Sequence, residues 1–302
     1  MNRQGGAPAR PRRPVVSAPM RVRIVHDTVY RYERPVRALV QALRLTPRDH
    51  DGQHVLRWRI EPSVDGRLKP GEDTLGNIVH MFSADHAVEG LTVRVSGEVE
   101  TSDASGVLRG TVERVPDPFY LRETELTAAD PAIAEFAETT AGDVAANPLA
   151  ALHRLLGGVH GGTTFDTEPT HVATTAREAF AMRRGVCQDF VHVFIAACRH
   201  LNVPARYVSG YFVRADGVVE QDAGHAWAEA KVPDLGWVGF DPANGIATTD
   251  AHIRVAIGLD YLGAAPVRGT RQGGGSERLE VRLKVEDSRP QRQSQTQFQG
   301  QA

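Results

Sequence analysis

Two stretches decide how the chain is read: GVCQDFVHVFIAACRHLNVPARYVSGY at residues 185–211, and DAGHAWAEAKVPDLGWVGFDPANG at residues 222–245. In the first, Phe190, Val193, Phe194, Ala197 and Leu201 recur at helical spacing, and Pro204 closes the run. This predicts a helix that starts near Cys187 and reaches Asn202. A thiol in the first turn of a helix faces unpaired backbone N–H groups and the positive end of the helix dipole, which favours thiolate. A lone cysteine is more often a small packed side chain, and Cys198, mid-helix in an apolar run, fits that description. In the second stretch HAWAEAKV and GWVGF are joined by a short segment beginning Pro233-Asp234, the pattern of an antiparallel hairpin. It brings His225 and Asp241 to one end of a sheet. The loop length offsets them by one or two residues from direct opposition, so contact needs a bulge or a diagonal. In that geometry Asp241 orients His225, and His225 takes the proton of Cys187.

Upstream, Thr175 and Glu178 form a capping box that opens the helix TAREAFAMRR, which Gly185 is expected to stop. Asp130-Pro131 and Asn147-Pro148 each read as an N-cap followed by proline at the first helical position. Before Pro116 the pattern changes. RVRIVHDTVYRY, HVLRWRI, NIVHMF, LTVRVSGEVE and VLRGTVERV are strand candidates, and a last one, RLEVRLKVE, begins at Arg278. The expected organisation is a basic arm at 1–19, a β-rich domain at 20–115, a core at 116–286 and a Gln-rich tail at 287–302. Arm and tail hold too few apolar groups to pack.

With 41% hydrophobic and 24% charged residues the composition is that of a folded globular chain. The net charge of −2 hides an asymmetry. The arm carries four arginines and no acid and the tail is +1, which leaves −7 on residues 20–286. An acidic body lacks the positive stripe of a nucleic-acid groove, so no nucleic-acid partner is expected. No apolar run approaches the roughly 18–20 residues of a membrane span. The first 19 residues show no hydrophobic leader, and export is not expected. The two cysteines, eleven positions apart on one helix, would lie about 16 Å apart, too far to form a disulfide. A chain without an internal disulfide suits the cytoplasm. Neither CxxC nor HExxH occurs, so no metal is expected, and there is no EF-hand loop.

The two opening stretches closely resemble the transglutaminase-like superfamily, whose core has a papain-like thiol-enzyme fold with chain order Cys, His, Asp. The resemblance continues through HIRVAIGLDYLGAAPVRG, and VRIVHDTVYRYERPV with ALRLTPR resembles the β-rich N-terminal region that accompanies this core in bacteria. It implies an α+β fold: a β-rich domain followed by a core with the nucleophile at a helix N-terminus packed on an antiparallel sheet. Cys187 then matches the nucleophile, His225 the general base and acid, and Asp241 the orienting carboxylate. The implied chemistry is acyl transfer through a thioester on peptide or carboxamide bonds, with hydrolysis taken ahead of amine transfer. The expected partner is a peptide or protein substrate, and no cofactor is called for. The rival reading is a non-catalytic peptide-binding or scaffolding module that keeps the fold.

The chain departs from the family pattern at Gly224, where serine is usual, at Ala243, where threonine is usual, and in FDTEPTHVATTA before the helices. Trp227 is the candidate substrate-binding side chain, with a place in the core as its alternative. Asn244 either supports Asp241 or shapes the turn. Asp189 is expected to cap the helix and His192 to be packed. Arg206 and Tyr207 are assigned a structural role, and Gln188 need not face the site.

Overall fold

A computed structural model describes residues 18–289. The expected arm and tail lie outside the described residues, except for 18–19 and 287–289. The first region is built on one long strand, β1 (Met20–Thr46), whose alternation buries Val22, Ile24, His26, Thr28 and Tyr30 on one face. It is followed by β2 (Gln53–Pro62), β3 (Arg67–Glu72), β4 (Ile78–Ala84) and β5 (Val88–Thr101). The first half of β1 pairs with β5, and the second half, beyond a register shift between Arg31 and Val36, pairs with β4. Of the expected strand VLRGTVERV only β6 (Val107–Leu108) forms, and it pairs with the core instead. Gly110 interrupts the run with φ +70°, a backbone conformation that breaks a strand.

Helix α1 (Pro131–Ala141) opens on Asp130, which accepts from the Ile133 N–H, and α2 (Pro148–Gly162) opens on Asn147, which accepts from the Ala150 N–H. After the two-residue strand β7 (Thr164–Phe165), α3 (Ala176–Met182) starts at the Thr175–Glu178 capping box. It ends earlier than expected, because Arg183 itself takes the left-handed conformation at φ 55° and leads into β8 (Arg184–Gly185), parallel to β7. Next come α4 (Cys187–His200), β9 (Ala205–Phe212), β10 (Glu220–Gln221), β11 (His225–Val232), β12 (Gly236–Asp241), β13 (Ile246–Ala247), β14 (His252–Gly258) and α5 (Tyr261–Ala264). The core sheet is antiparallel in the order β13-β12-β11-β9-β14. No helix among the described residues is long and apolar enough to cross a membrane.

The chain does not end in the core. Strands β15 (Val267–Gly273) and β16 (Glu277–Asp287) return to pair with β1, β16 running from Val22↔Asp287 to Tyr32↔Glu277. Residues 267–287 therefore extend the first region's sheet, whereas the sequence placed 267–286 in the core. Because β16 reaches Asp287, the strand also takes the first residue assigned to the tail.

Strand β9 is buried along nearly its whole length because the core sheet is covered on both faces. Ala226, Ala228 and Ala230 share one apolar cluster with Phe190, Val193, Phe194 and Ala197 of α4. At the far end of β9, Tyr211 packs with Ile253 and Val255 of β14 against Val22, Ile24, Leu283 and Val285 of the first sheet. Each such fully buried aliphatic side chain contributes roughly 1.5–3 kcal/mol, and together they hold the helices and the first sheet against the core sheet.

Candidate active site

Cys187 is the first residue of α4 and is half-buried, whereas Cys198 is fully buried and its burial pushes the thiol well up. The Cys187 N–H, at the helix start, has no acceptor within the helix. Asp189 folds back so that its Oδ2 accepts from the Val186 N–H at 2.8 Å. A side chain at Gly185 would put its Cβ 2.5 Å from that oxygen, so glycine is required there. Gln188 donates to the Val172 carbonyl at 3.3 Å and holds the loop beside the helix.

The hairpin register is Ala228↔Phe240 to Val232↔Gly236, which leaves His225 two positions from direct opposition to Asp241. The contact is diagonal, as the loop length required. His225 Nε2 donates to Asp241 Oδ2 at 2.7 Å, and the other ring nitrogen is left for the thiol. Burial by itself would lower His225, but the bond to Asp241 and the neighbouring Cys187 side chain push it up to about 10. Burial by itself would raise Asp241, but bonds from His225 and His252 hold it well below the usual carboxylate range.

Asp241 is fully buried and collects five N–H groups. Its Oδ1 accepts from the backbone of Ala243 (3.1 Å) and Asn244 (3.2 Å). Its Oδ2 accepts from His225, from Asn244 Nδ2 (2.6 Å) and from His252 Nε2 (3.1 Å). A carboxylate so surrounded stays ionised. The main-chain N–H of Ala243 helps to orient Asp241, so the missing threonine hydroxyl is not needed for that. At Gly224 a Cβ would already sit 3.1 Å from the Gly210 carbonyl, leaving a serine little room.

Three of the sequence candidates converge, and Asn244 joins them as a support of Asp241. Trp227 does not. It is buried in a cluster with Tyr120, Val208, Trp237 and Ile257. Alternation on β11 turns it to the face opposite the alanines that meet α4, so it belongs to the core and is not open to substrate. Arg206 is fully buried, bonded to Glu229 at 2.6 Å and Glu113 at 2.8 Å, and lies 3.9 Å over Trp237. Tyr207 is buried against the rings of His192 and Tyr261. His192 Nε2 accepts from the Tyr261 N–H at 3.1 Å.

His252 escaped the sequence reading, which had no spacing rule to connect it with Asp241. Together with His225 and Asp241 it offers three ligand atoms within 4.8 Å of one another. They do not fit a cation. His252 Nδ1 accepts from the Thr249 N–H at 3.1 Å, so Nε2 carries the hydrogen and has no lone pair to give. His225 Nε2 likewise spends its hydrogen on Asp241.

Residues 137–242 match the transglutaminase-like superfamily and residues 22–100 the bacterial transglutaminase-like N-terminal region. The uncharacterised protein ML0607 of Mycobacterium leprae is 31% identical over 281 residues, covering 88% of this chain and 98% of that one. The uncharacterised protein Rv2569c of Mycobacterium tuberculosis is 28% identical over 281 residues, covering 84% and 88%. A candidate cysteine protease from Cytophaga hutchinsonii has a crystal structure that overlays with a TM-score of 0.73 at 18% identity, covering 91% of this chain and 92% of that one. The chain belongs to the transglutaminase-like superfamily, and it carries the N-terminal region of the bacterial members.

Proposed function

We propose that the protein is a thiol-dependent acyl-transfer enzyme that opens peptide or carboxamide bonds through a thioester on Cys187. The observation that carries the reading is the His225–Asp241 bond of 2.7 Å beside a half-buried thiol at a helix start. With the proton already held on His225, Cys187 Sγ adds to the carbonyl carbon as a thiolate. The Cys187 N–H stabilises the oxyanion. The C–N bond then breaks, and the amine leaves with the proton from His225. Water next adds to the thioester, His225 taking and returning a proton, and the acid is released with the free thiol. Water is preferred to an amine as acceptor because Cys187 is partly open to solvent. The substrate is a peptide or protein, and the cytoplasm keeps an unpaired thiol reduced.

Turnover of a peptide library, read alongside amine incorporation into casein, tests the proposal. Cys187→Ala is expected to lose at least a thousandfold in amide turnover with the fold intact, and Cys198→Ala to keep most of it. Wild-type turnover by the Cys187 variant would leave the scaffolding reading in its place. Amine incorporation outrunning hydrolysis would reverse the choice of acceptor.

A further inference from the structure

We propose that His252 is a positioning residue for the triad carboxylate, and that the N-terminal sheet sets it in place through Gln53 and Thr101; this rests on the thiol-enzyme reading above. His252 is buried, and its ring is held by Phe212 (4.7 Å between centroids) and Trp227 (5.2 Å, edge-on). The Thr249 N–H pins its tautomer, so the Nε2 hydrogen points at Asp241 Oδ2. That is the same oxygen that His225 uses. A buried carboxyl free to rotate would offer His225 either oxygen. With Oδ1 held by the turn after Asp241 and Oδ2 held by His252, only one arrangement remains.

The segment that carries His252 is gripped on both sides by the other domain. Gln53 is buried, accepts from the Arg254 N–H at 2.8 Å and donates to the Arg254 carbonyl at 2.9 Å. Thr101 is buried and donates to the Asp250 carbonyl. Gln53 and Thr101 are cross-strand partners on β2 and β5. One rung of the N-terminal sheet thus holds the residues two before and two after His252. A cavity of about 40 Å³ adjoins this grip, lined among others by His50, Ser102, Glu229, His252 and Arg254. The charged and titratable groups facing His252 are therefore Asp241 and His225 on one side, and His50, Glu229 and Arg254 on the cavity side. Glu229 lies between Arg254 (2.7 Å) and Arg206 (2.6 Å), and Glu113 at 2.8 Å from Arg206 balances the second arginine.

Two measurements on the full chain test this. Imidazole nitrogen NMR of histidine-labelled protein is expected to show His252 as the neutral Nε2–H tautomer and His225 with a far-downfield Nε2 proton. The pH profile of Cys187 alkylation by iodoacetamide gives the second readout without any substrate. His252→Ala should lower the alkylation rate at pH 6 by about tenfold or more and broaden the His225 proton. His252→Gln, which keeps an N–H donor near the same place, should restore the rate to within about threefold. Gln53→Ala should shift both readouts in the direction of His252→Ala, and the double variant should be no worse than His252→Ala alone. If His252→Ala does not fold, Gln53→Ala decides by the same readouts. An Nδ1–H or charged His252, or an unchanged profile in either single variant, would overturn the proposal. An ordinary thiol profile in the wild type would instead overturn the enzyme reading, while the tautomer would still decide the place of His252.

Discussion

Two largely buried histidines, one in each half of the molecule, end in opposite charge states. His26 on β1 lies against Tyr211 and Thr28, with hydroxyl contacts of 3.1 and 3.0 Å. Burial drives it down to about 4, with Asp27 opposing. His225 loses solvation in the same way but faces a buried carboxylate, and it rises to about 10. The difference teaches that desolvation does not set the sign by itself. Neutral partners leave His26 neutral, whereas Asp241 together with the Cys187 side chain makes His225 a cation; His252, on the same carboxylate, stays lowered because burial outweighs Asp241 and the neighbouring His225 opposes a second charge.

Removing that charge is the most direct way to break the contrast. Asp241→Asn should send His225 towards the behaviour of His26 and cost amide turnover about a thousandfold or more, as loss of the orienting carboxylate does in other triads. NMR titration of His225 together with kcat/KM checks this. A His225 that stays charged at pH 8 in the variant would end the comparison.

The acid side sharpens it. The folded-state pKa of His26 lies below the 6.5 of the unfolded chain, so the unfolded state binds more protons as pH falls. Stability is complete above pH 6.5 and is lost on going down through that value towards 4. The share due to His26 is about 3 kcal/mol at pH 4. His50 is lowered to about 4 as well, burial again being the largest cause, and adds a loss of the same sign. Urea unfolding of His26→Gln should therefore show a shallower fall between pH 7 and pH 4, with the His50 contribution remaining. An equal slope in variant and wild type would place the acid sensitivity elsewhere.

The smallest effect is expected at the surface of the same sheet. Arg94 grips Asp27 with two bonds of 2.7 and 2.6 Å, one position along the chain from His26. Arg94 is more than half exposed. Arg94→Ala should cost about 0.5 kcal/mol and leave the His26 titration nearly unchanged; a loss of several kcal/mol in thermal unfolding would show that Asp27, not burial, governs that region.

The grouping of Cys187, His225 and Asp241 could be read in the sequence because each residue sits in a local pattern with a physical meaning: a helix start for Cys187, and the two arms of one hairpin for His225 and Asp241. The parts that escaped depend on distant pairing. His252 opens a strand that sits three places from β12 in the sheet, so only the crossing of residues 242–251 over the sheet end brings it to Asp241. Trp227 had the same parity whichever face of β11 turned towards α4, and alternation alone could not choose. RLEVRLKVE announces a strand, but nothing in its residues says that its partner lies more than 240 positions earlier. VLRGTVERV failed for a local reason, since Gly110 breaks the extended backbone.

The return of β16 to β1 makes the described chain nearly a ring. The Ser288 N–H donates to the Arg21 carbonyl at 2.7 Å, so the first and last strands lie side by side in one sheet. A protease that cut the connection between β5 and α1 would therefore not release an N-terminal domain. The two pieces would stay clasped, because each contributes strands to the same sheet. For the same reason a permuted gene that joined residue 289 to residue 20 through a short linker and opened the chain elsewhere would ask little of the fold. The two halves are divided by sequence but not by topology, and their border is better drawn across the sheets than along the chain.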